Sequence, residues 1–137
     1  MDVISTVIGA GVLVAVVLLW FLLTYWLNPQ VDSPSGEARL TGTCGDTMEI
    51  ALKFRNDRVA ETSYWTNGCA YSFNCLYAAA NLAKGKTPEE ILEIDPELIR
   101  KAVGGLPEDQ MHCARLSVET LQAALDNFMR RTASSSP

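Results

Sequence analysis

From Val3 to Leu27 the chain carries no charged side chain, and every lysine and arginine lies at or after Arg39. About 20 apolar residues cross the hydrocarbon core of a bilayer, so this run is long enough to span one with some tilt. It cannot double as the core helix of the rest of a 137-residue chain, because so small a domain has nothing to cover it on all sides. Trp20, Tyr25 and Trp26 gather toward one end, where interfacial aromatics hold a span in place. A cleaved secretory leader fits poorly: there is no basic n-region, the apolar run is too long, and no small-x-small cleavage site follows. Residues 1–28 are therefore expected to be a retained transmembrane anchor. The flanks leave its orientation open, with Asp2 on one side, Asp32 and Glu37 on the other, and no Lys/Arg excess on either.

Residues 29–38 contain Pro29, Pro34 and Gly36 among polar residues and read as an extended linker. One small domain follows, over residues 39–131. Met48-Glu49-Ile50-Ala51-Leu52-Lys53-Phe54 alternates strictly, which predicts a half-buried strand. Arg55-Asn56-Asp57-Arg58 supplies a turn, and Val59 to Trp65 the returning strand of a hairpin. Ala70 to Lys84 is alanine-rich and stops at Gly85, the pattern of a helix with a glycine C-cap. Thr87-Pro88-Glu89-Glu90 forms a capping box with proline at the first helical position, opening a short helix to about Ile94. Asp95-Pro96 repeats the start signal for a helix reaching Val103, before Gly104-Gly105. From Cys113 or Ala114 to about Arg131, Leu116, Leu121, Ala124, Leu125 and Phe128 share one helical face, and residues 132–137 read as a disordered tail. A hairpin followed by helices, without βαβ alternation, predicts an α+β domain: a small antiparallel sheet with helices packed on one face.

The chemistry-bearing residues stand outside these periodic segments. His112, the only histidine, adjoins Cys113 just ahead of the last helix. Cys44 lies in Thr43-Cys44-Gly45-Asp46, and Cys69 in Asn67-Gly68-Cys69 before the alanine-rich helix. Helix starts favour thiolate over thiol, and thiolate is both metal ligand and sulfur nucleophile. Three thiols, one imidazole and the Asp46 carboxylate make a mixed S/N/O set suited to zinc or iron. Taken singly, these residues have plainer readings. A free cysteine is most often a small buried hydrophobe, a lone histidine is usually structural, and no C-x₂-C pair is present. Cys75, inside the alanine-rich helix, reads as core packing. Four cysteines also allow three disulfide connectivities, which would need an oxidising compartment. A net charge of −5, with no Lys/Arg cluster bearing interleaved aromatics, argues against a nucleic-acid surface.

In order along the chain, Cys44-Gly45-Asp46, Thr66-Asn67-Gly68-Cys69, Lys84-Gly85-Lys86-Thr87, Gly104-Gly105-Leu106-Pro107 and His112-Cys113 resemble the IscU/NifU-type iron–sulfur cluster assembly scaffold. The resemblance covers the whole soluble domain, from Leu40 to Arg131. The Cys69-to-Cys113 spacing follows the IscU/NifU branch and lacks the insertion of the zinc-dependent SufU branch, which has arginine where His112 stands. The resemblance implies a scaffold, not a turnover enzyme. It would take sulfur from a cysteine desulfurase and iron from an iron donor, assemble a [2Fe–2S] cluster, and pass it to recipient apo-proteins. Carried over, the ligands would be Cys44, Asp46, Cys69, His112 and Cys113, with Zn²⁺ as an alternative occupant and Cys113 as first choice of sulfur acceptor. In IscU a dedicated Hsp70-type chaperone reads Leu-Pro-Pro-Val-Lys; here the segment is Leu106-Pro107-Glu108-Asp109-Gln110, which argues against that partner. Gln110 also replaces the lysine two residues before His-Cys. The anchor is not a usual family feature, and the further NifU domains are absent from this sequence.

The expectation is thus a membrane-tethered scaffold whose reduced thiols place the domain on the cytoplasmic side. Two rivals remain: a zinc-dependent sulfurtransferase relaying persulfide from the desulfurase, and a degenerate scaffold kept as an interaction module. Retention of all five ligand candidates counts against the second.

Overall fold

A computed structural model describes residues 2–27 and 31–136, which fall into two units, residues 1–30 and 31–137. The first is the helix α1 (Asp2–Leu27), none of whose residues is buried. Among the described residues it is the one helix long and apolar enough to cross a membrane. Asn28 of the expected anchor, and Pro29 and Gln30 of the expected linker, lie outside the described residues.

The second unit begins with a three-stranded antiparallel sheet in the order β1 (Gly36–Thr41), β2 (Thr47–Arg55), β3 (Arg58–Thr66). Met48, Ile50 and Leu52 point to one face of β2 and are fully buried there, as the alternation requires. The β2–β3 hairpin closes through Asn56 and Asp57, both at positive φ (54° and 61°), where Asn and Asp are the best-tolerated non-glycine residues. α2 (Ala70–Ala83) and α5 (Met111–Ser135) cover the buried face; Leu76, Ala79 and Ala83 of the one and Leu121, Ala124 and Leu125 of the other join the strand residues in one core. Two short helices, α3 (Pro88–Leu92) and α4 (Pro96–Ala102), connect them. Both start as the sequence predicts. Thr87 Oγ1 accepts from Glu90 N while Glu90 Oε2 accepts from Thr87 N, and Asp95 Oδ1 accepts from Leu98 N at 2.7 Å.

Three boundaries differ from the sequence expectation. β1 was not anticipated and starts inside the stretch read as linker. Its inward side chains, Ala38 and Leu40, are only partly buried, so it carries little hydrophobic signal and is held by its pairing with β2. Gly36 lets that strand run close under α5: a Cβ there would lie 2.6 Å from Phe128 Cβ. Phe128 in turn stacks on Phe54 with ring centroids 4.0 Å apart. The expected tail is helical through Ser135, where Thr132, Ser134 and Ser135 hydroxyls bond back to carbonyls of the preceding turn. Finally, α5 begins at Met111, after a 3₁₀ turn (Glu108–Gln110), so His112 and Cys113 belong to its first turn and do not precede it.

Candidate metal centre

Three chain segments meet at one end of the sheet. The β1–β2 turn is drawn tight by Gly42 N donating to Asp46 O (2.9 Å) and Gly45 N to Gly42 O (3.0 Å), with Gly45 at φ +90°. The β3–α2 turn is tied to it: Asn67 Oδ1 accepts from Thr47 N at 2.8 Å, and Thr66 Oγ1 donates to Thr47 O at 2.7 Å. The first turn of α5 closes the group. These bonds fix the turns that carry Cys44, Asp46 and Cys69 relative to one another before any ligand is considered.

Of the five expected ligands, the fold brings Asp46, Cys69 and Cys113 together, their ligand atoms all within 4.8 Å of one another. Cys44 and His112 line an adjoining cleft of about 390 Å³, with Arg115 and Glu119 on its wall. His112 Nδ1 lies 2.9 Å from the Asp109 carbonyl oxygen. That oxygen can only accept, so Nδ1 carries a proton, and in the neutral ring Nε2 is the nitrogen with the lone pair. Nε2 is 3.4 Å from Cys113 Sγ, which points the imidazole's free nitrogen at the thiol cluster.

All four cysteines are free thiols, in different surroundings. Cys69 is exposed at the N-cap of α2. Its sulfur closes no capping hydrogen bond, yet the Ser72 backbone N–H it overlooks is the first reason its pKa lies below the ordinary thiol value. Cys113 is 1% exposed, and burial pushes its thiol up, with Cys69, Asp46 and Cys44 adding to the effect as neighbouring negative charges. Cys75 sits in the core, fully buried and pushed up to about 12, also chiefly by burial. It is a packing thiol, in line with its place on α2. Cys113, expected just ahead of the last helix or at its first residue, lies inside α5 with its side chain in the core.

A reagent for thiolates should reveal this order. With iodoacetamide at neutral pH, Cys69 of the metal-free protein should be modified well before Cys113, and Cys75 should react only on unfolding. Peptide mapping over time checks this, and Cys113 reacting ahead of Cys69 would contradict the environments described.

One residue of the site escaped the sequence reading. Ser72, fully buried in the first turn of α2, donates its hydroxyl hydrogen bond to Asp46 Oδ2. Its oxygen also lies 3.4 Å from Cys113 Sγ and 3.8 Å from Cys69 Sγ. The Asp46 carboxylate thus reaches across to α2 and does not cap its own turn. The only signal was position: a serine three residues after a helix-capping cysteine lies above it on the same helical face.

Comparison with known proteins identifies the family of the chain. Residues 30–135 match the NifU-like N terminal domain family. The iron-sulfur cluster assembly scaffold protein IscU 1 of Archaeoglobus fulgidus is 38% identical over 112 residues, covering 78% of this chain and 73% of the relative. The nitrogen fixation protein NifU of a Nostoc species is 32% identical over 103 residues, which span 74% of this chain but 34% of that longer protein. Among solved structures, an N-terminal NifU-like protein from Brucella abortus superposes with a TM-score of 0.58 at 18% identity, covering 74% of this chain and 84% of the other. That likeness shows the same α+β fold. With the family match extending over nearly all of the second unit, the chain belongs to the NifU-like N-terminal domain family.

Proposed function

We propose that this chain is an iron–sulfur cluster assembly scaffold: a carrier that builds a labile [2Fe–2S] cluster and hands it to apo-proteins. The observation that carries the proposal is the convergence of Asp46, Cys69 and Cys113 from three separate segments, with ligand atoms within 4.8 Å, in a chain of this family. The relatives' names support the carrier role, since they are called scaffold proteins and not enzymes. The cluster is cargo. The proposed ligands are Cys44, Asp46, Cys69, His112 and Cys113, with the cleft that Cys44 and His112 line giving access from solvent. Sulfur would come from a cysteine desulfurase and iron from a donor.

As sulfur acceptor, Cys113 would first have to become accessible, because its thiol is buried, whereas Cys69 is reachable as it stands. Delivery of persulfide from a desulfurase followed by mass mapping separates the two. We further propose that α1 anchors the domain on the cytoplasmic side of a membrane, where thiols stay reduced. Protease added to intact cells should then leave the domain uncut, and digestion from outside would refute this.

Anaerobic reconstitution tests the main proposal. Ferrous iron and sulfide should give sulfide-to-iron absorption in the visible, with iron and sulfide in equal amounts. A protein that takes up tight zinc and no iron–sulfide chromophore would favour the persulfide-relay alternative.

A further inference from the structure

The Ser72 hydroxyl touches Asp46 directly, and its oxygen lies near the sulfurs of Cys69 and Cys113, yet it is not itself counted among the ligands. A hydroxyl has one proton to donate. That proton goes to Asp46 Oδ2, the strongest acceptor within reach, because a carboxylate makes shorter and stronger hydrogen bonds than a thiol. The donor is rigid: Ser72 is fully buried and fixed by the first turn of α2, the same turn that carries Cys69 at its cap. The surrounding backbone makes room for the pair. At Gly68 a Cβ would lie 2.6 Å from Asp46 Oδ2 and 2.7 Å from Ser72 Oγ, so any larger residue there would wedge into their contact.

A carboxylate held by one oxygen presents the other in a defined direction, as a single ligand atom. Outer hydrogen-bond partners of this kind orient a ligand and raise the affinity of the site. We propose that Ser72 is a positioning residue of the metal centre: it holds the Asp46 carboxylate beside Cys69 and Cys113 as a one-oxygen ligand and acts on the bound metal only through Asp46. This rests on the ligand set proposed above, and adds to it a residue that never contacts the metal.

The test uses Co²⁺ alone, on the full chain, because cobalt–thiolate charge-transfer and d–d bands report both affinity and ligand geometry without iron, sulfide or assembly. Ser72→Ala should keep the thiolate bands, shift the d–d envelope, and weaken Co²⁺ binding about 10-fold, at the low end of what outer partners typically contribute. Asp46→Ala should weaken it at least as much. The Ser72→Ala/Asp46→Ala double variant should bind as Asp46→Ala does, since the serine has then lost the group it acts through. Gly68→Ala, which keeps the hydroxyl but crowds the pair, should shift the bands in the same sense and stands in if Ser72→Ala does not fold. Circular dichroism checks the fold of each. Ser72→Ala binding Co²⁺ as wild type does, or effects that multiply in the double variant, would overturn the positioning role. So would wild-type chain that gives no thiolate bands with Co²⁺. Failure of iron–sulfide reconstitution alone would remove the scaffold proposal while leaving this one standing.

Discussion

Cys69→Ala and Cys113→Ala should each lose the reconstituted cluster, with cluster content falling by about 10–100-fold or more, since removing a ligand costs at least what removing an outer partner does. The two thiols and Asp46 occupy one small volume, with Cys44 on the adjoining cleft. Cys44→Ala is expected to behave likewise. The consequences for folding differ. Cys69 is exposed and makes no capping bond, so its loss should leave stability nearly unchanged. Cys113 is packed in the core, and its deletion should cost about 1 kcal/mol from the lost contacts and small cavity. Cys75→Ser is the control. Burying a hydroxyl where a thiol packed costs about 1–3 kcal/mol, but the cluster should still form. Cluster content and thermal unfolding measured on the same preparations separate ligation from folding. A folded Cys75→Ser protein as empty as Cys69→Ala would show the ligand assignment to be wrong.

Asp46→Ala should produce a cluster that outlasts the wild type's in air and moves to an apo-ferredoxin roughly 10-fold more slowly, a barrier change of about 1.4 kcal/mol. The physical ground is the mismatch of a hard carboxylate in a site of thiolates and imidazole: its bond to iron is the most exchangeable and opens the cluster to the acceptor. The plainer role for Asp46, capping the turn after Gly45, is not what its side chain does, because the carboxylate is hydrogen-bonded to Ser72 on α2. Removing it leaves that buried hydroxyl without its acceptor and should lower stability by about 1 kcal/mol. Stability and transfer rate are therefore both needed. A lowered melting temperature with unchanged transfer would assign Asp46 a purely structural part.

Elements with a strong local signature were legible from the residues alone. The period-two run of β2, the capping box at Thr87 and the glycine stop after α2 each have a local physical cause, and each lies where expected within one or two residues. β1 was not legible because it owes its form to pairing with β2 and close approach to α5, both non-local. The site divides in the same way. No metal spacing links Cys44, Cys69 and Cys113 locally; what singled them out was their order among the family's motifs. Cys113 turns inward because, inside α5, it lies three and eight positions ahead of Leu116 and Leu121 and so shares their buried face. Ser72 was hidden because its partner, Asp46, is 26 positions away.

The most direct test of the scaffold role is transfer from the wild-type chain. Protein reconstituted anaerobically and freed of loose iron and sulfide is mixed with an apo-ferredoxin in the presence of an iron chelator, and visible circular dichroism follows both proteins. The ferredoxin's signal should grow as the donor's fades, with cluster conserved and little iron reaching the chelator. A cluster that stays on this chain, or that breaks down to chelated iron before the ferredoxin is filled, would contradict it.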